Sequence, residues 1–139
     1  MSKERRTACF ILLAFLLGLG CAHIPKSDNP AQIERTISTS FERTWHAVTE
    51  VVTVFKGAYV TMNHDSGLIV FSLTPDRIKK LTAHKTEEKV FVQVHIVLPA
   101  EHSQGRTFVY VFARTRSGYY AGAIDSVFFD ELDRRLSGK

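Results

Sequence analysis

The segment KVFVQVHIVL (residues 89–98) decides the fold prediction, because two sets of residues alternate along its whole length. Successive side chains of a β-strand point to opposite faces of the sheet, so a period of two assigns each set to one face. The pattern predicts a strand that is buried on one face and partly wet on the other. The first set is Val90, Val92, Val94, Ile96 and Leu98, and the second is Phe91, Gln93, His95 and Val97.

A second alternating segment, RTFVYVFARTR (residues 106–116), follows the turn-like stretch PAEHSQG (residues 99–105). Both of its faces begin apolar and end polar, so burial is expected to fade toward Arg116. The two segments are predicted to be consecutive strands of one sheet. One face of this second strand is predicted to carry Phe108, Tyr110, Phe112, Arg114 and Arg116, and the other Thr107, Val109, Val111, Ala113 and Thr115.

Upstream, residues 39–57 carry the signals of a helix. TSFE (residues 39–42) has the form of a capping box, with the Thr39 hydroxyl placed to accept from a free amide, and Gly57 suits a left-handed C-cap. Apolar residues then recur at spacings of four and three, which predicts one buried stripe. The stripe consists of Phe41, Trp45, Val48, Val52 and Phe55.

The remaining patterns complete a single domain over residues 32–139. We expect a short strand at 33–38, a hairpin at 58–73 with a loop at 63–67, and a final helix at 119–136. Thr74 and Pro75 favour the start of one further short helix. The main order β-α-β-β-β-β-α predicts a two-layer α+β fold, with a mostly antiparallel five-stranded sheet packed by two helices.

Residues 1–20 do not resemble part of that domain. Lys3, Arg5 and Arg6 form a charged head, and residues 8–20 carry no charge. As a helix this run would extend only about 20 Å, whereas the hydrocarbon core of a bilayer is about 30 Å thick. The pattern therefore predicts a secretory signal peptide at 1–20.

The signal ends in LGLGC (residues 17–21), which resembles the lipobox of bacterial lipoproteins. The resemblance implies that the Cys21 thiol receives a diacylglycerol, that the chain is cut before Cys21, and that the new amino terminus is acylated. No disulfide is available to the mature chain, because Cys9 lies in the removed segment. A buried thiol is the remaining alternative. The covalent diacylglycerol and N-acyl chain are the only non-protein groups expected, and they make the membrane a partner.

The residue after Cys21 is Ala22 rather than Asp, which by the same resemblance implies sorting to the outer membrane with the domain facing the periplasm. Residues 21–31 contain two prolines and no apolar period, so we expect a flexible tether between the lipidated cysteine and the domain.

Charge gives little support for nucleic-acid binding. The chain has 18 basic and 14 acidic residues, and removal of residues 1–20 leaves 15 against 13, or a net charge of +2. A basic stretch could contact anionic lipid headgroups. Glu87 and Glu88 interrupt it, which favours a solvated surface instead. The stretch contains Arg77, Lys79, Lys80, Lys85 and Lys89.

No HExxH, CxxC, GxSxG or P-loop pattern occurs, so we predict neither an enzyme nor a metal site. His46 and Glu50 share a helix face at a spacing that could hold a metal, but without a second ligand pair we interpret them as exposed surface. His64 and Asp65 are interpreted as loop polarity, and His95 as a satisfied surface group.

Three stretches resemble one family: SFERTW (residues 40–45), DSGLI (residues 65–69) and FFDEL (residues 128–132). They are similar to small periplasmic lipoproteins whose domains have a helix-grip order, including the C lipoprotein of the outer-membrane β-barrel assembly machinery. The resemblance covers about one such domain of about a hundred residues. It implies a helix-grip-like fold and an envelope protein as partner, with outer-membrane assembly as one setting.

Two functions follow from these observations. The first is a structural or interaction module in the cell envelope. The alternative is a carrier of an apolar or lipid ligand, held in a cavity between the sheet and the long helix. In the carrier, the cavity would be lined by Phe91, Phe108, Tyr110 and Phe112; ordinary aromatic packing at the same positions is the simpler interpretation.

Overall fold

The computed structural model describes residues 33–99, 105–118, 120 and 123–138. The predicted signal at 1–20, the tether at 21–31 and the lipidation site Cys21 lie outside the described residues. Five strands and three helices make up the described part. In chain order they are β1 (Ile33–Ile37), α1 (Phe41–Phe55), β2 (Ala58–Asn63), β3 (Leu68–Leu73), α2 (Pro75–Thr82), β4 (Val90–Val97), β5 (Thr107–Arg114) and α3 (Ile124–Ser137).

The strands form one sheet in the order β1-β5-β4-β3-β2, and all neighbouring strands are antiparallel. The two segments with the clearest alternation, β4 and β5, pair with Val94 opposite Val111 and His95 opposite Tyr110. The predicted α+β fold and its element order are confirmed. The short helix expected after Thr74 is α2, with Pro75 in its first turn.

Helices α1 and α3 cover one face of the sheet and bury the first alternating set of β4. Val90, Val92 and Val94 are fully buried there. Burying each valine-sized or larger apolar side chain stabilises the fold by about 1.5–3 kcal/mol. The seam between the layers is therefore the main stabilising feature. It includes Val48, Val51, Val52 and Phe55 of α1, Ile69, Phe71 and Leu73 of β3, Val109 and Val111 of β5, and Phe128, Phe129 and Leu132 of α3.

The start of α1 differs from the prediction by one residue. Ser40, and not Thr39, is the N-cap, and its Oγ accepts a hydrogen bond of 3.4 Å from the amide of Arg43. The carbonyl of Thr39 instead accepts a 2.7 Å hydrogen bond from Oγ1 of Thr107. Because this bond fixes Thr39 against β5, the helix begins one residue later.

The end of α1 also differs. Lys56, and not Gly57, adopts the left-handed conformation, with φ of 54°. A Cβ at Gly57 would lie 2.6 Å from Cδ2 of Phe71. Glycine is therefore required at position 57 because the chain passes close to the Phe71 ring of β3.

The last helix starts at Ile124 and not at residue 119. Its buried residues include Ile124, Phe128, Phe129 and Leu132. The guanidinium of Arg35 on β1 lies 4.5 Å above the centroid of the Phe129 ring and pairs with Asp133 at 2.7 Å. Burial of Phe129 thus depends on a distant strand.

Candidate functional site

The four aromatic residues predicted as a ligand or partner face lie on the side of the sheet opposite the helices. Each is partly exposed, whereas the residues that alternate with them along β4 and β5 are buried in the core shared with α1 and α3. We call this side of β4 and β5 the open face. It consists of Phe91, Gln93, His95 and Val97 of β4 and Phe108, Tyr110, Phe112 and Arg114 of β5.

The strand register brings these side chains together. Phe108 lies opposite Val97, and Tyr110 lies opposite His95. Phe112 lies opposite Gln93, and Arg114 opposite Phe91. Directly opposed residues in an antiparallel pair have Cβ atoms about 4.5–5.5 Å apart, so the aromatic rings of β5 stand in one continuous row against β4.

The neighbouring strands extend the apolar character of the open face. On the β3 side, Leu68 is opposite His95 and Val70 is opposite Gln93, and both are partly exposed. On the β1 side, Glu34 is opposite Tyr110. Formal charge on this side of β1, β3, β4 and β5 is confined to Glu34 and Arg114. The centre of the open face is uncharged and aromatic.

This geometry corrects one part of the carrier interpretation. Phe91, Phe108, Tyr110 and Phe112 cannot line a cavity between the sheet and the long helix, because they point to the other side of the sheet. Both alternating sets of β5 contain large apolar residues, so hydrophobicity alone did not reveal which set faces the helices. A carrier function would need a cavity formed by other residues.

His95 has a defined partner at the edge of the open face. Its Nε2 lies 3.0 Å from the carbonyl oxygen of Ser66, in the turn between β2 and β3. A carbonyl oxygen only accepts, so Nε2 carries the proton and donates it. The interpretation of His95 as a satisfied surface group is confirmed.

A second cluster, which the sequence did not reveal, joins the β2–β3 turn to the first turns of α1. The His64 ring lies edge-on to Phe41, with centroids 5.2 Å apart, and to Trp45, with centroids 4.9 Å apart. Its Nε2 is 3.1 Å from the carboxylate of Glu42. We call this group of four side chains the hairpin junction. Phe41 and Trp45 are only four residues apart, but nothing in the sequence links them to a histidine about twenty positions later.

Gly67 lies next to the hairpin junction. Its φ is +67°, and a Cβ there would lie 3.4 Å from Cε2 of Phe41. Two of the stretches that carry the family resemblance, 40–45 and 65–69, therefore meet at this point. The third stretch, 128–132, lies in α3, where Phe128 packs edge-on against Phe55 with centroids 6.3 Å apart. All three stretches form packing contacts of the fold.

The charged groups of the hairpin junction interact only weakly, because they are exposed to solvent. His64 is about half exposed, and its Nδ1 is 4.0 Å from the exposed carboxylate of Asp65. Both groups are solvent-exposed, so water screens the interaction between them. His46 and Glu50 line an open groove beside Trp45. In the part of the chain that the structure describes, no three His, Cys, Asp or Glu side chains are grouped so that they could hold a metal ion.

Among residues 33–99, 105–118 and 123–138, no helix has the length and apolar character needed to cross a bilayer. No model of a known protein family matches the chain. No curated protein is significantly similar to it.

Proposed function

We propose that the protein is a lipid-anchored outer-membrane lipoprotein whose domain acts in the periplasm as an interaction module. Cys21 carries the anchor, and the open face binds an envelope protein. Assembly of outer-membrane proteins is the setting that the sequence resemblance favours. The single observation that supports the interaction role is the row of partly exposed aromatic side chains on the side of β4 and β5 that faces away from α1 and α3.

The physical argument concerns how antiparallel sheets meet water. When one face of such a sheet packs on helices, the other is normally polar and alternates with the buried set. Here Phe108, Tyr110 and Phe112 occupy successive outward positions of β5. Aromatic residues are enriched in the buried centres of protein interfaces and stabilise them through their large apolar area.

The expected partner is a protein with an apolar surface bordered by polar groups. Arg114 and Glu34 lie at the margins of the aromatic row, where charged residues of an interface rim are usually found. The hydroxyl of Tyr110 gives the centre one group that can donate or accept a hydrogen bond. The proposal assigns no catalytic step.

Site-specific photo-crosslinking in intact cells tests the interaction role. A benzophenone amino acid placed at Tyr110 should give a discrete crosslinked product that contains a second envelope protein. The matched control is the same amino acid at Ser126, which is exposed on α3 in the helix layer. Absence of a product from Tyr110, or the same products from both positions, would contradict the proposal.

A further inference from the structure

Basic side chains are concentrated at one end of the sheet. This end is where β2 and β4 begin and where β3 and β5 finish: Ala58 is opposite Ser72, Leu73 is opposite Val90, and Phe91 is opposite Arg114. Helix α2 and the segment before β4 lie in the connection between β3 and β4. We call this the basic end. Its cations are Lys56, Arg77, Lys79, Lys80, Lys85, Lys89, Arg114 and Arg116, and its anions are Asp76, Glu87, Glu88 and Asp125.

Net positive and net negative charge therefore lie in different parts of the described structure. The basic end has eight cations and four anions, a net charge of +4. The other described residues have five cations and seven anions, a net charge of −2. A net charge of +2 over the mature chain conceals this polarity, which arises because the sheet register gathers segments that are distant in sequence.

Glu88, one of the two residues that interrupt the basic stretch in the sequence, is hydrogen-bonded at the surface to the turn that follows β5. Its carboxylate accepts a 2.6 Å hydrogen bond from Oγ of Ser117 and a 3.3 Å bond from the Ser117 amide. The hydrogen bond from the Ser117 hydroxyl is the largest cause that lowers the pKa of Glu88. These bonds hold the turn after β5, which contains Arg116, beside the segment that contains Lys89.

The basic end also has a concave part that is open to solvent. A groove of about 450 Å³ lies between α2 and the segment that precedes β4. Lys79 and Lys85 line it, together with the hydroxyl-bearing Thr86. Asp76 and Glu87 line it as well, so two cations and two anions lie side by side in the groove.

The chain that leads to Cys21 enters the domain toward this end. Ile33, the first described residue, is opposite Val111, three residues before Arg114 ends β5. Twelve residue steps separate Cys21 from Ile33. Fully extended, they could reach at most about 40 Å. An anchored domain would therefore remain close to the bilayer.

We infer that the basic end docks on anionic lipid headgroups of the bilayer in which Cys21 is anchored. The inference rests on the proposed lipid anchor and adds an orientation to it. Lys and Arg side chains near an anionic membrane surface are attracted over about a Debye length, which the tether keeps within reach. In this orientation the strands stand on the membrane, and the open face points sideways toward a partner.

Fluorescence quenching with the full lipidated protein in vesicles tests the inference. The only two cysteines of the chain are Cys9 and Cys21. A single introduced cysteine therefore provides the free thiol for a dye in the processed, lipidated protein. His84→Cys places the dye at the basic end, and Leu98→Cys places it at the opposite end; both positions are exposed. Vesicles of phosphatidylcholine, with or without phosphatidylglycerol, carry a headgroup quencher.

We expect the His84→Cys dye to be quenched more strongly in vesicles with phosphatidylglycerol, and high salt to remove the difference. The Leu98→Cys dye should not distinguish the two vesicles. Each lysine near an anionic surface raises the ratio of docked to undocked protein about fivefold. Lys79→Gln with Lys80→Gln should thus lower the ratio of docked to undocked protein by roughly 25-fold.

The matched control compares Lys80→Gln with Arg106→Gln, which removes an exposed cation at the opposite end. Only Lys80→Gln should reduce quenching. Equal quenching in neutral and anionic vesicles, or an equal loss in both variants, would overturn the inference. Failure of the wild-type protein to float with either kind of vesicle would instead overturn the anchor on which the inference rests.

Discussion

The amide of Ile96 donates a 2.8 Å hydrogen bond to the carbonyl of Gly67, and a Cβ at Gly67 would lie 2.0 Å from the carbonyl oxygen of Ile96. The β2–β3 turn and the end of β4 are therefore in backbone contact, with no space for a side chain at Gly67. This contact holds the turn in the position where His64 meets α1.

Gly67→Ala should strongly destabilise the fold. The new Cβ would meet backbone, which moves little, and the positive φ adds a cost of about 1–2 kcal/mol for any L side chain. We expect a total loss of about 2–4 kcal/mol in the free energy of unfolding, measured by urea denaturation. Gly105→Ala is the control, since its φ is +81° but no atom of the described residues lies within 4 Å of the added Cβ. Equal losses in the two variants would show that the Ile96 contact is unimportant.

His64→Ala should loosen the hairpin junction without unfolding the domain. Loss of the edge-on contacts with Phe41 and Trp45 should cost about 0.5–1.5 kcal/mol per aromatic pair. Trp45 is the only tryptophan of the chain, so its fluorescence reports on this cluster alone. The emission should shift to longer wavelength as water reaches the indole ring. His84→Ala, which changes an exposed histidine at the basic end, should leave the emission unchanged.

The contribution of Glu88 to the stability of the fold should depend on pH. The hydrogen bond from Ser117 should set the pH range in which this contribution is lost. The Ser117 hydroxyl lowers the pKa of Glu88 below 4.5, so the carboxylate stabilises the folded state above its unfolded-state pKa. This contribution should disappear as the pH falls through the lowered pKa. In Ser117→Ala the pKa of Glu88 should rise toward 4.5, measured by NMR titration of the side-chain carboxyl. An unchanged titration would mean that the hydroxyl bond does not form in solution.

Cys21→Ser should abolish processing and lipid attachment. The serine hydroxyl does not replace the thiol that we propose receives a diacylglycerol, so the variant should remain an uncut precursor that no longer labels with palmitate. The matched control is Cys9→Ser, which should be processed and labelled normally because Cys9 lies within the predicted signal at 1–20. Palmitate labelling of Cys21→Ser at the wild-type level would remove the anchor from the proposed function.

Local patterns were sufficient to predict which elements form and which residues share a face. Side-chain direction in a strand follows from the backbone itself, so the alternation at 89–98 predicted the two faces of β4. The helical stripe containing Val48 and Val52 was equally local, and both residues are buried. The caps of α1 were less predictable. Ser40 is the N-cap in place of Thr39, whose carbonyl is bonded to Thr107 of β5. Lys56 is the C-cap in place of Gly57, which lies against Phe71 of β3.

The sequence by itself determined the order of the elements, the alternation within the strands and the lipobox-like stretch ending at Cys21, since each depends on neighbouring residues alone. Only the tertiary structure decided which side of the sheet the helices cover, the meeting of Trp45 with His64, and the pairing of Glu88 with Ser117. The same is true of the basic end, where the sheet register brings Lys79 and Arg114 to one end. These relationships join residues far apart in the chain, and the packing of the two layers determines them.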